Sequence, residues 1–169
     1  MVIARTKLMI HDDLFRPVPR LFVEYHGANV DELYDEIPKL VHAVFRVPVH
    51  NIQESKFSWT KGDPEKFKVI WEVSKDIDKF SYYYLQIVFE GQISKGKGHA
   101  KLSMEASLRT EYPQDTYFQR SLIYELLRMT WHSTFYTSKR EEYIREGRRL
   151  MTQLAEKLKG LRERLNLSS

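Results

Sequence analysis

The chain has 169 residues and no cysteine, and its 27 Lys and Arg exceed its 23 Asp and Glu to give a net charge of +4. This length suits one domain with a full core, and the lack of cysteine excludes disulfides, thiolate catalysis and cysteine-ligated metals. No apolar run approaches the roughly 18 residues of a membrane span, and residues 1–10 lack a secretory pattern. We therefore expect a cytoplasmic protein without membrane insertion.

The residue pattern in the first third of the chain predicts two strands and one interrupted helix. Residues 2–10 alternate loosely and predict an edge strand, and residues 20–26 predict a second short strand. Asn29 with Glu32 forms a candidate capping box at the start of a helix, which Pro38 should kink or divide in two. Its apolar positions recur at helical spacing: Leu33, Ile37, Leu40, Val41, Val44 and Phe45.

The middle of the chain predicts an antiparallel meander. Apolar and polar residues alternate over 66–74 and 99–112, as in strands with one buried face, and 53–60 is a weaker strand. The run 80–93 is apolar on both faces, which predicts a central strand, and the glycine-rich stretch 94–98 predicts a flexible hairpin loop.

The last third predicts two helices. The first runs from about Thr116 to Trp131 and should bury Leu122, Ile123, Leu126, Leu127 and Met129; the second starts with Ser138 and Glu141 as a capping box and ends near Leu165. The second helix has an a/d heptad seam that could pack on the protein's own sheet or on a partner helix or subunit. The seam comprises Ile144, Gly147, Met151, Leu154, Leu158, Leu161 and Leu165.

These elements predict a single α+β domain over 1–169, with the sheet and first helix in 1–113 and the C-terminal helices in 114–169. The sheet should be an antiparallel meander with helices on one face, because the clean alternation leaves its other face in water.

Positive charge is concentrated in the C-terminal helices. Residues 119–169 carry eleven Lys and Arg and six Asp and Glu, a net charge of +5, whereas the remaining residues have a net charge of −1. Such asymmetry favours an anionic partner, although a solvated helix face is the alternative. The candidate binding residues in the last helix and the hairpin are Lys95, Lys97, Lys101, Arg145, Arg148, Arg149, Lys157, Lys159, Arg162 and Arg164.

The sequence shows no pattern typical of catalysis or metal binding. The six histidines are scattered, none of them at metal-helix spacing, and no nucleophile elbow, phosphate-binding loop or dinucleotide fingerprint is present. We therefore predict a non-enzymatic protein without catalytic residues, metal or cofactor.

The order of elements resembles the helix-grip fold of START-like lipid-transfer and polyketide-cyclase proteins: a strand, a helix interrupted by Pro38, a meander and a long final helix. In that family apolar ligands bind between the sheet and the last helix. The resemblance implies a carrier with a pocket near Trp59, Phe67, Trp71 and Tyr82, although these rings also suit a filled core.

The chain also resembles a group of small archaeal α+β proteins to which no activity is attached. The shared features are a Glu-Leu-Tyr helix start at 32–34, a Val-Ile-Trp-Glu strand at 69–72, a tyrosine-rich central strand at 82–84 and a charged C-terminal helix. Our leading interpretation from the residues is a protein that binds RNA or a ribonucleoprotein through its basic last helix. The alternatives are the apolar-ligand carrier and a subunit that meets another protein through the heptad seam.

Overall fold

The computed structural model describes residues 9–112, 122–131, 134 and 136–167. Within them six strands and three α-helices make an α+β fold, as predicted. The strands are β1 (Met9–Asp13), β2 (Arg20–Gly27), β3 (Ile52–Thr60), β4 (Glu65–Asp76), β5 (Ser81–Ser94) and β6 (Lys97–Glu111). The helices are α1 (Val30–Phe45), α2 (Leu122–Trp131) and α3 (Thr137–Leu167), and a short 3₁₀ helix covers Val49–Asn51.

All six strands pair antiparallel in one sheet, in the order β1-β6-β5-β4-β3. β2 also pairs with β6, on the same side as β1 but with a different part of the strand. The two strands therefore follow each other along one interrupted edge of the sheet. The segment between them, residues 14–19, carries Leu14 fully buried into the core. The predicted strand over 2–10 lies mostly outside the described residues, and β1 extends to Asp13 instead.

The period-2 pattern decides which side of each strand is buried, because successive side chains point to opposite faces. Alternate residues of β4, β5 and β6 form the inner face, including Val69, Ile87 and Met104, each fully buried. Helices α1 and α3 contribute buried apolar residues to this same core. The prediction that helices cover one face of the sheet is confirmed for α1 and α3.

The heptad seam of α3 packs on the protein's own sheet and α1. Met151 and Leu154 are fully buried in the core, and Leu158 is 1% exposed. Gly147 lets the helix approach closely, since an added Cβ would lie 2.8 Å from the side chains of Leu14 and Tyr83. The apolar side chains of the seam are therefore covered by the protein's own core, which is the first of the two arrangements that the heptad pattern allowed.

Helix α1 is continuous through Pro38 rather than divided in two. Its predicted apolar stripe faces the core, with Leu40 partly buried. Asn29 occupies the N-cap position, but its side chain makes no capping hydrogen bond, so the predicted capping box does not form. The capping box predicted at Ser138 is also displaced, because α3 begins one residue earlier at Thr137.

The hairpin between β5 and β6 is tighter than the sequence suggested. Lys95 and Gly96 form a two-residue turn with φ of 50° and 75°, the backbone of a type I′ turn that suits the twist of paired strands. Strand pairing continues from Ser94 to Lys97, so a five-residue flexible loop is not present.

The predicted buried face of helix α2 is wrong at three positions. Leu126, Leu127 and Met129 were expected to be buried, yet they are 65%, 60% and 61% exposed, because no described element covers them. The predicted start of this helix at Thr116 lies outside the described residues. None of the three helices combines the length and the apolar character needed to cross a membrane.

Candidate nucleic-acid interface

Several of the predicted binding cations are used inside the protein. Arg148 donates from Nε to the backbone carbonyl of Leu14 at 2.5 Å, which anchors α3 to the segment between β1 and β2. Lys101 places its ammonium 4.5 Å from the centre of the Phe22 ring, a cation–π contact on the outer face of the sheet. These two side chains have structural contacts to give up before they could bind a partner.

Three more of the predicted cations have carboxylate partners. Arg149 donates two hydrogen bonds to Glu146, from Nη2 at 2.8 Å and from Nε at 2.9 Å. Arg162 lies 3.8 Å from Glu163, and Arg164 lies 3.9 Å from Glu36. The second and third pairs are long and exposed, so they are weak and screened by salt.

Arg145, Lys157 and Lys159 project from α3 without a carboxylate within ion-pair distance among the described residues. All three are exposed. Lys95 and Lys97, in the hairpin, are also exposed and form no ion pair with any residue that the structure describes. Among the residues that the structure describes, none of these five cations has a carboxylate partner.

The hairpin and the middle of the helix lie at opposite ends of β5, because Lys75 lines a cleft with Arg149 and Lys157 of α3. Lys75 pairs with Tyr83 at the start of β5, whereas Lys97 pairs with Ser94 at its end. Eleven residues of extended strand separate these pairs, which is about 36 Å. Lys101 also lies on the sheet face opposite α3. The hairpin lysines and Lys101 are therefore separate from the cations around Lys75.

A cleft forms where the C-terminal end of α1 passes the middle of α3. We call it the α1–α3 cleft. Four cations from three separate elements line it: Arg46 follows α1, Lys75 belongs to β4, and Arg149 and Lys157 project from α3. Its other lining residues are Ala43, Val44, Glu146, Leu150, Gln153 and Glu156.

The α1–α3 cleft has an excess of positive charge. It contains two carboxylates against four cations, and one of them, Glu146, is held by Arg149. That hydrogen bond keeps the pKa of Glu146 below its usual value, so the carboxylate stays ionised. Two positive charges are left without compensation in the cleft.

Lys75 is the cation of this cleft whose charged form is disfavoured by its surroundings. Partial burial lowers the pKa of its ammonium; the Glu146 carboxylate opposes this, and the Arg46 guanidinium adds to the lowering. An anion in the cleft would favour the charged form of Lys75, because it would add the negative charge that the surroundings lack.

Sequence reasoning missed Arg46 and Lys75. Arg46 ends α1 in the left-handed conformation with φ of 53°, and its amide donates to the His42 carbonyl at 2.9 Å. A basic residue just after a helix is a recognisable signal, but it does not show which element lies beside it. Only the packing of the end of α1 beside β4 brings the two residues to one cleft.

Arg145 lines an adjoining cleft that shares Lys75, Glu146 and Arg149 with the first. This second cleft adds Asp76 and Glu142, so its charge is nearly balanced. The field that attracts an anion is therefore centred on the α1–α3 cleft rather than on its neighbour.

The predicted apolar-ligand pocket is not formed by its four residues. Trp71 and Phe67 are 3% and 4% exposed in the core, and Phe67 stacks on Trp59 with ring centres 4.9 Å apart. Tyr82 lies on the opposite face of the sheet, where its hydroxyl donates to Glu111 at 2.7 Å. Ring contacts occupy the space expected for a ligand, and one wall of the predicted pocket faces away.

The histidines are less scattered than the sequence suggested. His26 of β2 pairs directly with His99 of β6, and their ring centres lie 4.4 Å apart. Glu24 joins them, so three potential metal ligands converge on the outer face of the sheet. The signal was Glu24 and His26 at strand spacing, but the third ligand comes from a strand 73 residues away in the sequence.

The α1–α3 cleft thus joins cations of α1, β4 and α3, and the Glu24, His26 and His99 cluster lies on the other face of the sheet. No family model matches the chain, and no curated protein is significantly similar to it.

Proposed function

We propose that this protein binds RNA without catalysing a reaction, and that the α1–α3 cleft and the exposed cations of α3 contact the phosphate backbone. The observation that carries the proposal is the convergence of Arg46, Lys75, Arg149 and Lys157 on a cleft whose described lining residues include only two carboxylates. Phosphate neutralises such a site and releases counterions from the RNA, which drives binding.

The length of the basic surface favours a polyanion over a single phosphate compound. Arg149 and Arg164 are fifteen residues apart on α3, a distance of about 22 Å along the helix axis. Lys157 lies between them and is exposed, whereas Lys159, two residues further along, points to a different side of the helix. A nucleic-acid strand presents phosphates over this whole length, whereas a small anion would use only the cleft.

Weak internal pairing does not remove this surface. The Arg164 pair with Glu36 is 3.9 Å long and exposed, and such pairs contribute about 0–1 kcal/mol. A phosphate oxygen can therefore replace the carboxylate at little cost. Arg149 differs, because its two-point contact with Glu146 has to be shared or given up.

Fluorescence anisotropy with labelled single-stranded and duplex RNA of 20 residues, measured at several salt concentrations, tests the proposal. We expect log Kd to rise linearly with log salt concentration, with a slope close to the number of phosphates contacted. Replacing Arg46, Lys75 and Lys157 by Gln should reduce that slope by about 2–3 and weaken binding at least about tenfold.

The matched control removes three exposed lysines from β3, β4 and the turn between them: Lys56→Gln, Lys61→Gln and Lys66→Gln. This variant has the same net charge as the cleft variant, so equal weakening in both would reduce the effect to overall charge and defeat the cleft assignment. A Lys95→Gln and Lys97→Gln variant tests the hairpin. If it weakened binding more than the cleft variant, the contact would lie at the other end of the sheet.

A further inference from the structure

We propose that Glu24, His26 and His99 bind a Zn²⁺ ion on the outer face of the sheet. The inference is independent of RNA binding, because these residues lie on the face opposite α1 and α3. It stands on the convergence of two imidazoles and a carboxylate from two strands.

The strand pairing creates the arrangement. His26 and His99 are direct cross-strand partners in the antiparallel pair of β2 and β6. Glu24 precedes His26 by two residues, and side chains at that spacing point to the same face of a strand. All three side chains therefore project from one small patch of the sheet.

The distances suit one metal ion. One potential ligand atom from each residue lies within 4.8 Å of the other two. Ligand atoms bound tetrahedrally to zinc at about 2.0–2.2 Å lie about 3.3–3.6 Å apart. The three side chains are exposed, so rotation about their own bonds can close the difference.

The backbone beneath the cluster is fixed by close packing. A Cβ at Gly98, next to His99, would lie 2.2 Å from the side chain of Val30 at the start of α1. A Cβ at Gly91, on the neighbouring strand β5, would lie 2.1 Å from the carbonyl oxygen of His99. The strand ends that carry both imidazoles therefore have little freedom to separate.

The carboxylate is available to a cation. Lys101 lies opposite Glu24 across the strands, but its ammonium contacts the Phe22 ring instead. No ion pair joins Glu24 to any residue that the structure describes. A bound dication would give this exposed carboxylate a partner.

Two imidazole nitrogens and one carboxylate oxygen form a ligand set that zinc uses when a fourth position stays open. The adjacent cleft is lined by His26 and His99 together with Gln92, Ser94 and the hairpin lysines Lys95 and Lys97. It would give water or another small ligand access to the open position.

Isothermal titration of untagged, full-length protein with ZnCl₂ tests the site. We expect one equivalent to bind with a Kd below about 10 µM, and the His26→Gln and His99→Gln double variant to weaken binding by about 100-fold. Glu24→Gln should weaken it by about tenfold. Circular dichroism melting of each variant shows whether the fold is kept.

The matched control is the His11→Gln and His50→Gln double variant, which also removes two exposed histidines. Its Kd should stay within about threefold of the unmodified protein. Equal losses in both double variants would reduce the effect to adventitious surface histidines and overturn the proposal. Binding weaker than 1 mM, or an unchanged Kd in Glu24→Gln, would overturn the three-ligand assignment.

Discussion

Arg140, in the first turn of α3, donates a hydrogen bond from Nη2 to Oδ2 of Asp12 in β1 at 2.6 Å. The guanidinium is 4% exposed, and its other terminal nitrogen donates to the hydroxyl of Thr110 on β6. This pair ties the start of the last helix to the interrupted edge of the sheet, 128 residues earlier in the chain.

Arg140→Met should therefore lower the free energy of unfolding by about 3 kcal/mol. A broken buried ion pair costs about 3–5 kcal/mol, and the lower end applies because Asp12 remains partly exposed. Urea denaturation at pH 7 measures the change. Arg149→Met breaks the exposed pair with Glu146 in the same helix, and it should lower the free energy of unfolding by less than about 1 kcal/mol. Similar losses for both variants would show that burial of the Arg140 pair is unimportant.

Asp78, in the turn between β4 and β5, accepts hydrogen bonds from four donors. Burial by itself would raise the pKa of its carboxyl, but the amides of Phe80 and Ser81 and the hydroxyls of Tyr136 and Tyr143 outweigh burial and hold it below the usual value. The carboxylate thus joins the sheet to the start of α3, with the Tyr136 hydroxyl 2.9 Å from Oδ2.

Because the pKa of Asp78 is lower in the folded state, its stabilisation is complete above the unfolded value of about 3.9 and is lost as pH falls through the folded value. Asp78→Asn should reduce the free energy of unfolding at pH 7 by about 1.5–3 kcal/mol. The deficit should shrink at pH 2.5, as measured by urea denaturation at both values. Asp76→Asn is the control, and a deficit for Asp78→Asn that is independent of pH would contradict the explanation.

Two glycines of α3 should respond oppositely to alanine. At Gly160 nothing lies within 4 Å of the added Cβ, so Gly160→Ala should stabilise by about 1 kcal/mol through helix propensity. At Gly147 the Cβ would lie 2.8 Å from Leu14 and Tyr83, and overpacking should destabilise by about 1–3 kcal/mol. Thermal unfolding of both variants measures the contrast, and a rise in Tm for Gly147→Ala would show that α3 does not pack as closely as described.

Lys75 links stability to the proposed RNA contact. Burial lowers the pKa of its ammonium, so the unfolded chain holds this proton more strongly and stability gains as alkaline pH removes it from the folded protein. Lys75→Met should leave Tm unchanged or raise it, while weakening RNA binding and reducing the salt slope by about 1. Loss of RNA affinity together with a fall in Tm would indicate a structural role for Lys75 instead.

The strand pattern shows why much of the fold was predictable. Alternation over 66–74 and 99–112 is a local property, and it correctly identified the buried faces of β4 and β6. The heptad spacing of α3 was equally local, and it identified the residues that enter the core. It could not decide between the protein's own sheet and a partner, because both offer an apolar surface.

The sites depended on contacts that no local pattern contains. The rings of His26 and His99 are in contact, and Arg46 and Lys75 line one cleft. Both arrangements arise only because elements that are distant in the sequence pack side by side. Tyr82 belongs to a run that is apolar on both faces, so periodicity left its side of the sheet undecided.

The amino-acid sequence by itself determined the element types, the buried stripe of each and the surplus of positive charge in the last third. Only the tertiary structure decided which cations contact groups of the protein itself and which remain exposed. Arg148, for example, donates a hydrogen bond to the carbonyl oxygen of Leu14. The physical reason is that periodicity is set by residues that are near one another in the sequence, whereas charge pairing and ligand sets depend on distances across the folded chain.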